Sequence, residues 1–185
     1  MNLLPPAAPY RIQVVGTSCS GKTTFAKKLA GKLQISHIEL DALHWGPGWS
    51  EAETGVFQSR IVEAMKLESW IVDGSYGRKV GDTISSRRNC LIWIDIPLTV
   101  ILYRFFYRSF RRSWDKEILW GGCQETLGNS IFNKNSLLIW ILNNHGPSRK
   151  KYLSLIRSPP PGTVVIRLKS TSEIRRFLAS VSTVR

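Results

Sequence analysis

Arg11-Ile-Gln-Val-Val-Gly-Thr-Ser-Cys-Ser-Gly-Lys-Thr-Thr24 decides the fold. Its first half is a short β-branched run ending at glycine, the pattern of a buried strand. Gly16 to Thr23 then matches G-x-x-x-x-G-K-[ST], and from Thr23 to Leu33 good helix formers carry apolar residues at Phe25, Leu29 and Leu33. Strand, loop and helix in that order make a phosphate cradle. Gly16 and Gly21 permit the backbone angles that turn successive N–H groups toward an anion. The helix brings its positive end to the same point. On this reading Gly16, Thr17, Ser18, Cys19, Ser20, Gly21, Lys22, Thr23 and Thr24 bind ATP. Lys22 sets a point charge on the β- and γ-phosphates, and the Thr23 hydroxyl ligates Mg²⁺. Cys19 fills the loop, its backbone N–H counting for more than its thiol.

Outward from the loop, strands and helices alternate. Ile35 to Leu40 reads as a second strand ending at Asp41. A Trp/Gly/Pro loop, Trp45-Gly-Pro-Gly-Trp49, leads into a helix from about Glu51 to Glu68. Trp70-Ile-Val-Asp-Gly74 and Cys90-Leu-Ile-Trp-Ile-Asp-Ile96 are the third and fourth strands, and Pro97 closes the latter. Helical stretches follow at Thr99 to Arg112 and roughly Ser130 to Ile156. Thr163 to Leu168 is the fifth strand, and Ser172 to Val181 the last helix. Such alternation argues for an α/β fold with a mainly parallel sheet.

Ligands of such sheets sit beyond the carboxyl ends of the strands, where three acids fall. Asp73 ends an apolar strand, as the carboxylate near the Mg²⁺ of a phosphate-loop protein does. Asp41 is placed to orient or deprotonate an acceptor hydroxyl. Asp95, before Ile96-Pro97, either faces the site or caps the next helix. Farther on, Arg104, Arg108, Arg111 and Arg112 recur at i, i+4, i+7 and i+8 on one helix face, and no acid lies between Pro97 and Ser113. Phosphoryl transfer needs such cations opposite the charge that spreads over the transferring group.

Composition sets the frame. The 185 residues suit one domain, 1–185, with a flexible leader over residues 1–10. A hydrophobic share of 43% excludes a disordered basic tail. The longest apolar runs, Leu98–Tyr103 and Leu137–Leu142, fall far short of the roughly 18 residues of a membrane span, and no membrane partner is expected. The leader has no basic segment before an apolar one and does not read as a secretory signal. Three widely spaced cysteines, Cys19, Cys90 and Cys123, suit a reducing cytoplasm. The net charge is +13, and residues 1–75 are neutral, so residues 76–185 hold the whole excess. That field serves a phosphorylated substrate, a polyanion or solubility. A monomer and a homodimer are equally compatible with it.

Several of these segments together resemble a known group. Gly16–Thr23, Leu40-Asp-Ala-Leu-His-Trp45, Gly48-Trp49, Trp70-Ile-Val-Asp-Gly-Ser-Tyr76 and the Arg104/Arg108 helix are similar to the adenylate-kinase-like P-loop kinases. Within them the chain resembles the bacterial proteins labelled "DNA topology modulation protein" (FlaR type) from Arg11 to Leu178. The resemblance implies a three-layer αβα sandwich with a five-stranded parallel sheet ordered 2-3-1-4-5. It also implies a short helical lid over about 104–127, too short to hold zinc. Lys22 and Thr23 then hold ATP and Mg²⁺, Asp73 stands near the metal, and Arg104 and Arg108 lead into the lid. Asp73-Gly-Ser-Tyr-Gly-Arg78 is similar to the Asp-Gly-Phe-Pro-Arg segment of adenylate kinases, with the arginine displaced and the Phe-Pro absent. Trp45, Trp49 and Tyr76 either stack on a substrate ring or pack, and His37 and His44 are structural.

These readings converge on an ATP-dependent kinase. Lys22, Asp41, Asp73, Arg104 and Arg108 carry catalysis, and a nucleotide or other small-molecule acceptor lies among Asp41, Trp45, Trp49, Tyr76 and Arg78. The alternative is a nucleotide-binding regulator associated with nucleic acid. Mixed surface charge and the lack of a recognition-helix motif disfavour direct DNA binding.

Overall fold

The computed structural model describes residues 4, 5, 8–124 and 136–182. Five parallel strands form the sheet: β1 (Arg11–Gly16), β2 (Ser36–Glu39), β3 (Trp70–Asp73), β4 (Cys90–Ile94) and β5 (Val164–Leu168). Their spatial order is β2-β3-β1-β4-β5, so the phosphate-loop strand has β3 on one side and β4 on the other. The register sets Val14 beside Asp73 and Gly16 beside Ile94, which brings three loops to one edge of the sheet.

The strands are apolar on both faces because helices cover both. On one face, Ile12, Val14, Ile92 and Ile166 meet Phe25 and Leu29 of α1 (Lys22–Leu33), Ile101 and Phe105 of α4 (Leu98–Asp115) and Phe177 of α6 (Thr171–Ser180). On the other, Trp70 and Val72 meet Phe57 and Ile61 of α3 (Thr54–Ala64), and Trp93 meets Tyr152 of α5 (Leu137–Arg157). Phe57 and Trp70 are almost wholly enclosed, and truncating either to alanine would cost about 3–5 kcal/mol. This is the three-layer αβα sandwich that the resemblance implies.

Local departures have physical causes. The second strand stops at Glu39, whose neighbour Asp73 is the last residue of β3; beyond it there is nothing to pair with. The chain therefore turns into α2 (Leu40–His44), and Asp41 stands on a helical turn instead of a strand end. Trp45-Gly46 and Ser50-Glu51 pair as a two-stranded antiparallel hairpin around a 3₁₀ turn at Pro47–Trp49, so Glu51 belongs to the hairpin and not to α3. The expected leader is held at its described residues: Leu4 lies in the core and Asn89 donates to the Pro9 carbonyl. Residues 125–127 of the expected lid and 130–135 of the expected helix lie outside the described residues.

Candidate active site

The loop after β1 is built around close approach. Gly16 has φ of +153°, and a Cβ there would stand 2.7 Å from the Ile94 carbonyl oxygen, so β4 excludes every side chain from that position. Ser20 N–H donates to the Thr17 carbonyl, and Gly21, at φ +97°, turns the chain into α1. No side chain caps α1 and no acid lies in its first turn, which leaves its N–H groups to an anion. Lys22 Nζ folds back onto the Thr17 carbonyl at 3.3 Å. Ser20 Oγ is buried with no hydrogen-bond partner.

Asp73 sits one strand away. It is 3% exposed, its Oδ2 lies 3.8 Å from His37 Nε2, and its Oδ1 has no hydrogen-bond partner. A buried carboxylate oxygen with nothing donating to it suits a cation. This orphaned atom makes Asp73 chemically suited to a cation such as Mg²⁺. The turn that follows Asp73 is braced: Gln13 Nε2 donates to the Gly74 carbonyl at 3.3 Å, Arg88 donates to Gln13, and the Tyr152 hydroxyl donates to Ser75 Oγ at 2.9 Å.

Asp41 and Tyr76 come together. The Tyr76 hydroxyl donates to Asp41 Oδ1, and burial, followed by the Asp41 charge, pushes the phenol far above its ordinary range. Tyr76 is therefore a fixed donor that aims the carboxylate. Behind it, His44 is buried with its ring against Trp45, Phe57 and Tyr76. Burial, and then Lys79, lower its pKa below the ordinary histidine value. Trp45 and Trp49 meet edge to face at 5.7 Å. Arg78 lies in the 3₁₀ turn Gly77–Lys79.

The arginine stripe divides. Arg104 is half-buried and anchored: Nη1 donates to the Ser20 carbonyl at 2.7 Å and Nη2 to Thr171 Oγ1 at 2.9 Å. It ties α4 to the phosphate loop and to the start of α6. Arg108, one turn on, is also half-buried. Arg111 and Arg112 are not free cations, because Asp115 and Glu117 neutralise them from beyond the stretch that lacked acids.

The sequence did not single out α5, yet α5 lies over the strand ends. His145 Nδ1 is 3.2 Å from Thr17 Oγ1 in the phosphate loop. Arg149 Nε reaches buried Asp95 at 3.1 Å, and Arg167 of β5 reaches the same carboxylate at 2.9 Å while lying over the Trp93 ring. Asp95 is thus the hub of two arginines; it does not cap the next helix, whose cap is Pro97. Between Thr17, Asp95, His145 and Arg149 remains a cavity of about 10 Å³, room for one water. Histidine and arginine four apart on one helix were the available signal, but a helix face does not say what it will cover.

A third contact joins distant segments. Residues Ile118–Gln124 fold back on themselves and lie against the hairpin. Cys123 Sγ accepts from the Trp49 N–H at 3.0 Å and lies 3.4 Å from the Gly46 carbonyl oxygen.

Solved structures of small-molecule kinases share this three-layer fold. No protein-family model matches the chain, and no curated protein is similar to it in sequence. Solved structures are similar in fold. Shikimate kinase from Bacteroides thetaiotaomicron superposes with a TM-score of 0.55 at 13% identity, over 92% of this chain and 94% of its own. Shikimate kinase from Acinetobacter baumannii, in complex with shikimate, gives 0.54 at 14% identity, over 92% and 89%. A gluconokinase from Sinorhizobium meliloti 1021 gives 0.51 at 17% identity, over 94% of each chain.

Proposed function

We propose that this protein is an ATP-dependent kinase that phosphorylates a hydroxyl group of a small molecule. The observation that carries the reading is the phosphate loop closed on β4 at Gly16, with the partnerless Asp73 oxygen one strand away. Within it, Gly16 to Thr24 hold the triphosphate, and Lys22 leaves the Thr17 carbonyl for the β- and γ-phosphates. Thr23 and Asp73 would hold Mg²⁺, which would supply positive charge against the developing phosphate charge. The acceptor lies between Asp41 and the Trp45–Trp49 hairpin, and Asp41, aimed by Tyr76, takes the hydroxyl proton. Arg104 and Arg108 stabilise the transferring group. Of the expected lid, the part within α4 is fixed by Phe105 and Ser109 in the core, and the segment that follows α4 acts as the lid that excludes water, which would otherwise accept the phosphoryl group. The chain works as one domain, 1–185.

The names of the similar structures support an acceptor with several hydroxyls and a carboxylate, since shikimate and gluconate share that chemistry. Asp41 suits the hydroxyl, and the cationic surplus of residues 76–185 suits the carboxylate. The resemblance to adenylate-kinase-like proteins keeps nucleotides in the panel. The test is ADP release with ATP and Mg²⁺ over sugar acids, polyols, nucleosides and nucleotides, in wild type and Lys22→Ala. Acceptor-dependent release that falls by at least about 10²-fold in Lys22→Ala supports the reading. Turnover unchanged in that variant, or none with any acceptor class, overturns it.

A further inference from the structure

Helix α4 buries Ile101, Phe105 and Ser109 and shows its other side bare. On that side Tyr103, Tyr107, Phe110 and Trp114 form a ridge; Tyr103 is 71% and Trp114 78% exposed, and Phe106 flanks them at 48%. At roughly 200 Å² of surface for each aromatic side chain, the five leave on the order of 600 Å² in contact with water. That is at or above the largest apolar patch of an ordinary monomer. Ile118, 70% exposed, extends it. A patch of that size is most of the roughly 800 Å² per partner that a stable interface covers.

The spacing names the occupant. Along the ridge the steps are four, three and four residues, a series that reads the same in both directions. Two copies of α4 laid antiparallel about a twofold axis between Arg108 and Ser109 therefore bring Tyr103 of one opposite Trp114 of the other, and Tyr107 opposite Phe110. The ridge is already ordered for it: the Phe110 and Trp114 rings stack at an interplanar angle of 22°, and Tyr107, Phe110, Arg111 and Trp114 line an open groove of about 330 Å³. Near its end the rim carries both signs, Arg111 with Asp115 and Glu117, which suits a surface facing its own copy.

We propose that the α4 aromatic ridge is the interface of an antiparallel, twofold homodimer. The charge of +13 on each chain opposes association and is screened by salt, whose Debye length falls from about 10 Å at 0.1 M to about 3 Å at 1 M. The dimer thus tightens as salt rises, whereas an anionic membrane or a nucleic acid held by the same cations would be released.

Sedimentation equilibrium of the full chain at 0.1 and 1 M NaCl tests this, with Phe110→Ser/Trp114→Ser beside wild type and circular dichroism to check folding. We expect a dimer whose Kd falls with salt and rises at least about 10-fold in the double variant. A second measurement does not depend on that variant. Tyr107→Cys and Phe110→Cys chains, mixed and treated with a short bismaleimide, should crosslink to each other more than either does alone. A monomer at both salts, a dimer indifferent to the serine variant, or crosslinking strongest within Tyr107→Cys alone would overturn the proposal. So would a monomer that binds phosphatidylserine vesicles or an oligonucleotide through the ridge.

Discussion

Gly121 rests directly on Gly46: a Cβ on Gly121 would stand 2.4 Å from the Gly46 carbonyl carbon and 2.6 Å from its oxygen. Backbone touches backbone there, between a segment after α4 and the hairpin that carries Trp45 and Trp49. Gly121 also has φ of +65°. The hairpin and the segment after α4 are therefore one contact surface, sealed by Cys123.

Gly121→Ala should detach this segment. Its neighbour Gly122 has φ of +77° but open space around a built Cβ, so Gly122→Ala supplies the control with strain alone. Both pay the left-handed conformation, about 1 kcal/mol. Gly121→Ala should lose about 1–2 kcal/mol more in denaturant unfolding, and Trp49 should become quenchable by iodide. Equal losses in the two variants would show that the Gly46 contact contributes nothing.

Asp73 and Asp41 should fail differently. Asp73→Asn removes a charge from a buried oxygen that lacks a partner, so the Mg²⁺ concentration needed for half-maximal turnover should rise for every acceptor. Asp41→Asn should lower kcat/KM for the acceptor by about 10²-fold while ATP affinity holds. Tyr76→Phe keeps the ring against His44 and loses the aim of Asp41, with a smaller loss in the same parameter. Matching losses of ATP binding in both aspartate variants would contradict this division.

The arginines of α4 should separate in the same way as their contacts. Arg104→Ala and Arg108→Ala together should cut kcat by about 10²-fold or more. Arg104→Ala alone should also cost about 1.5–3 kcal/mol of stability, because it removes charged donors from the Ser20 carbonyl and Thr171. Arg111→Ala should leave turnover unchanged, since its exposed pairs with Asp115 and Glu117 are worth little. Normal kcat in the first double variant would assign the whole stripe to the surface.

His44 sets an acid limit. Its folded-state pKa lies below 6.5, so the unfolded chain takes up a proton at a higher pH than the folded one. Stability from this group is complete above pH 6.5 and is lost as the pH falls from there through the folded pKa. His44→Gln should flatten the fall of Tm below pH 6.5, whatever its effect at neutral pH. An unchanged slope would mean that His44 takes up its proton alike in the folded and unfolded chains.

The sequence by itself determined the five strands of the sheet and the strand–loop–helix around Gly16, and it missed the α2 turn and the hairpin. The β-branched run before Gly16, the apolar spacing after Lys22 and the glycines of the loop act over a few residues, and local sterics read the same in any fold. The alternation of strands and helices likewise settled a parallel sheet with covered faces. What the tertiary structure decided lies across long separations. Asp95 was an ambiguous strand-end acid until Arg149 and Arg167, 54 and 72 residues away, closed on it. His145 carried no signal until α5 crossed the sheet to reach Thr17, 128 residues back. Arg104 and Arg111 are alike in the sequence and differ only because one helix face meets Ser20 and the other meets water with its own acids. Periodicity places a side chain on a face; only the packing of elements distant in sequence decides what that face meets.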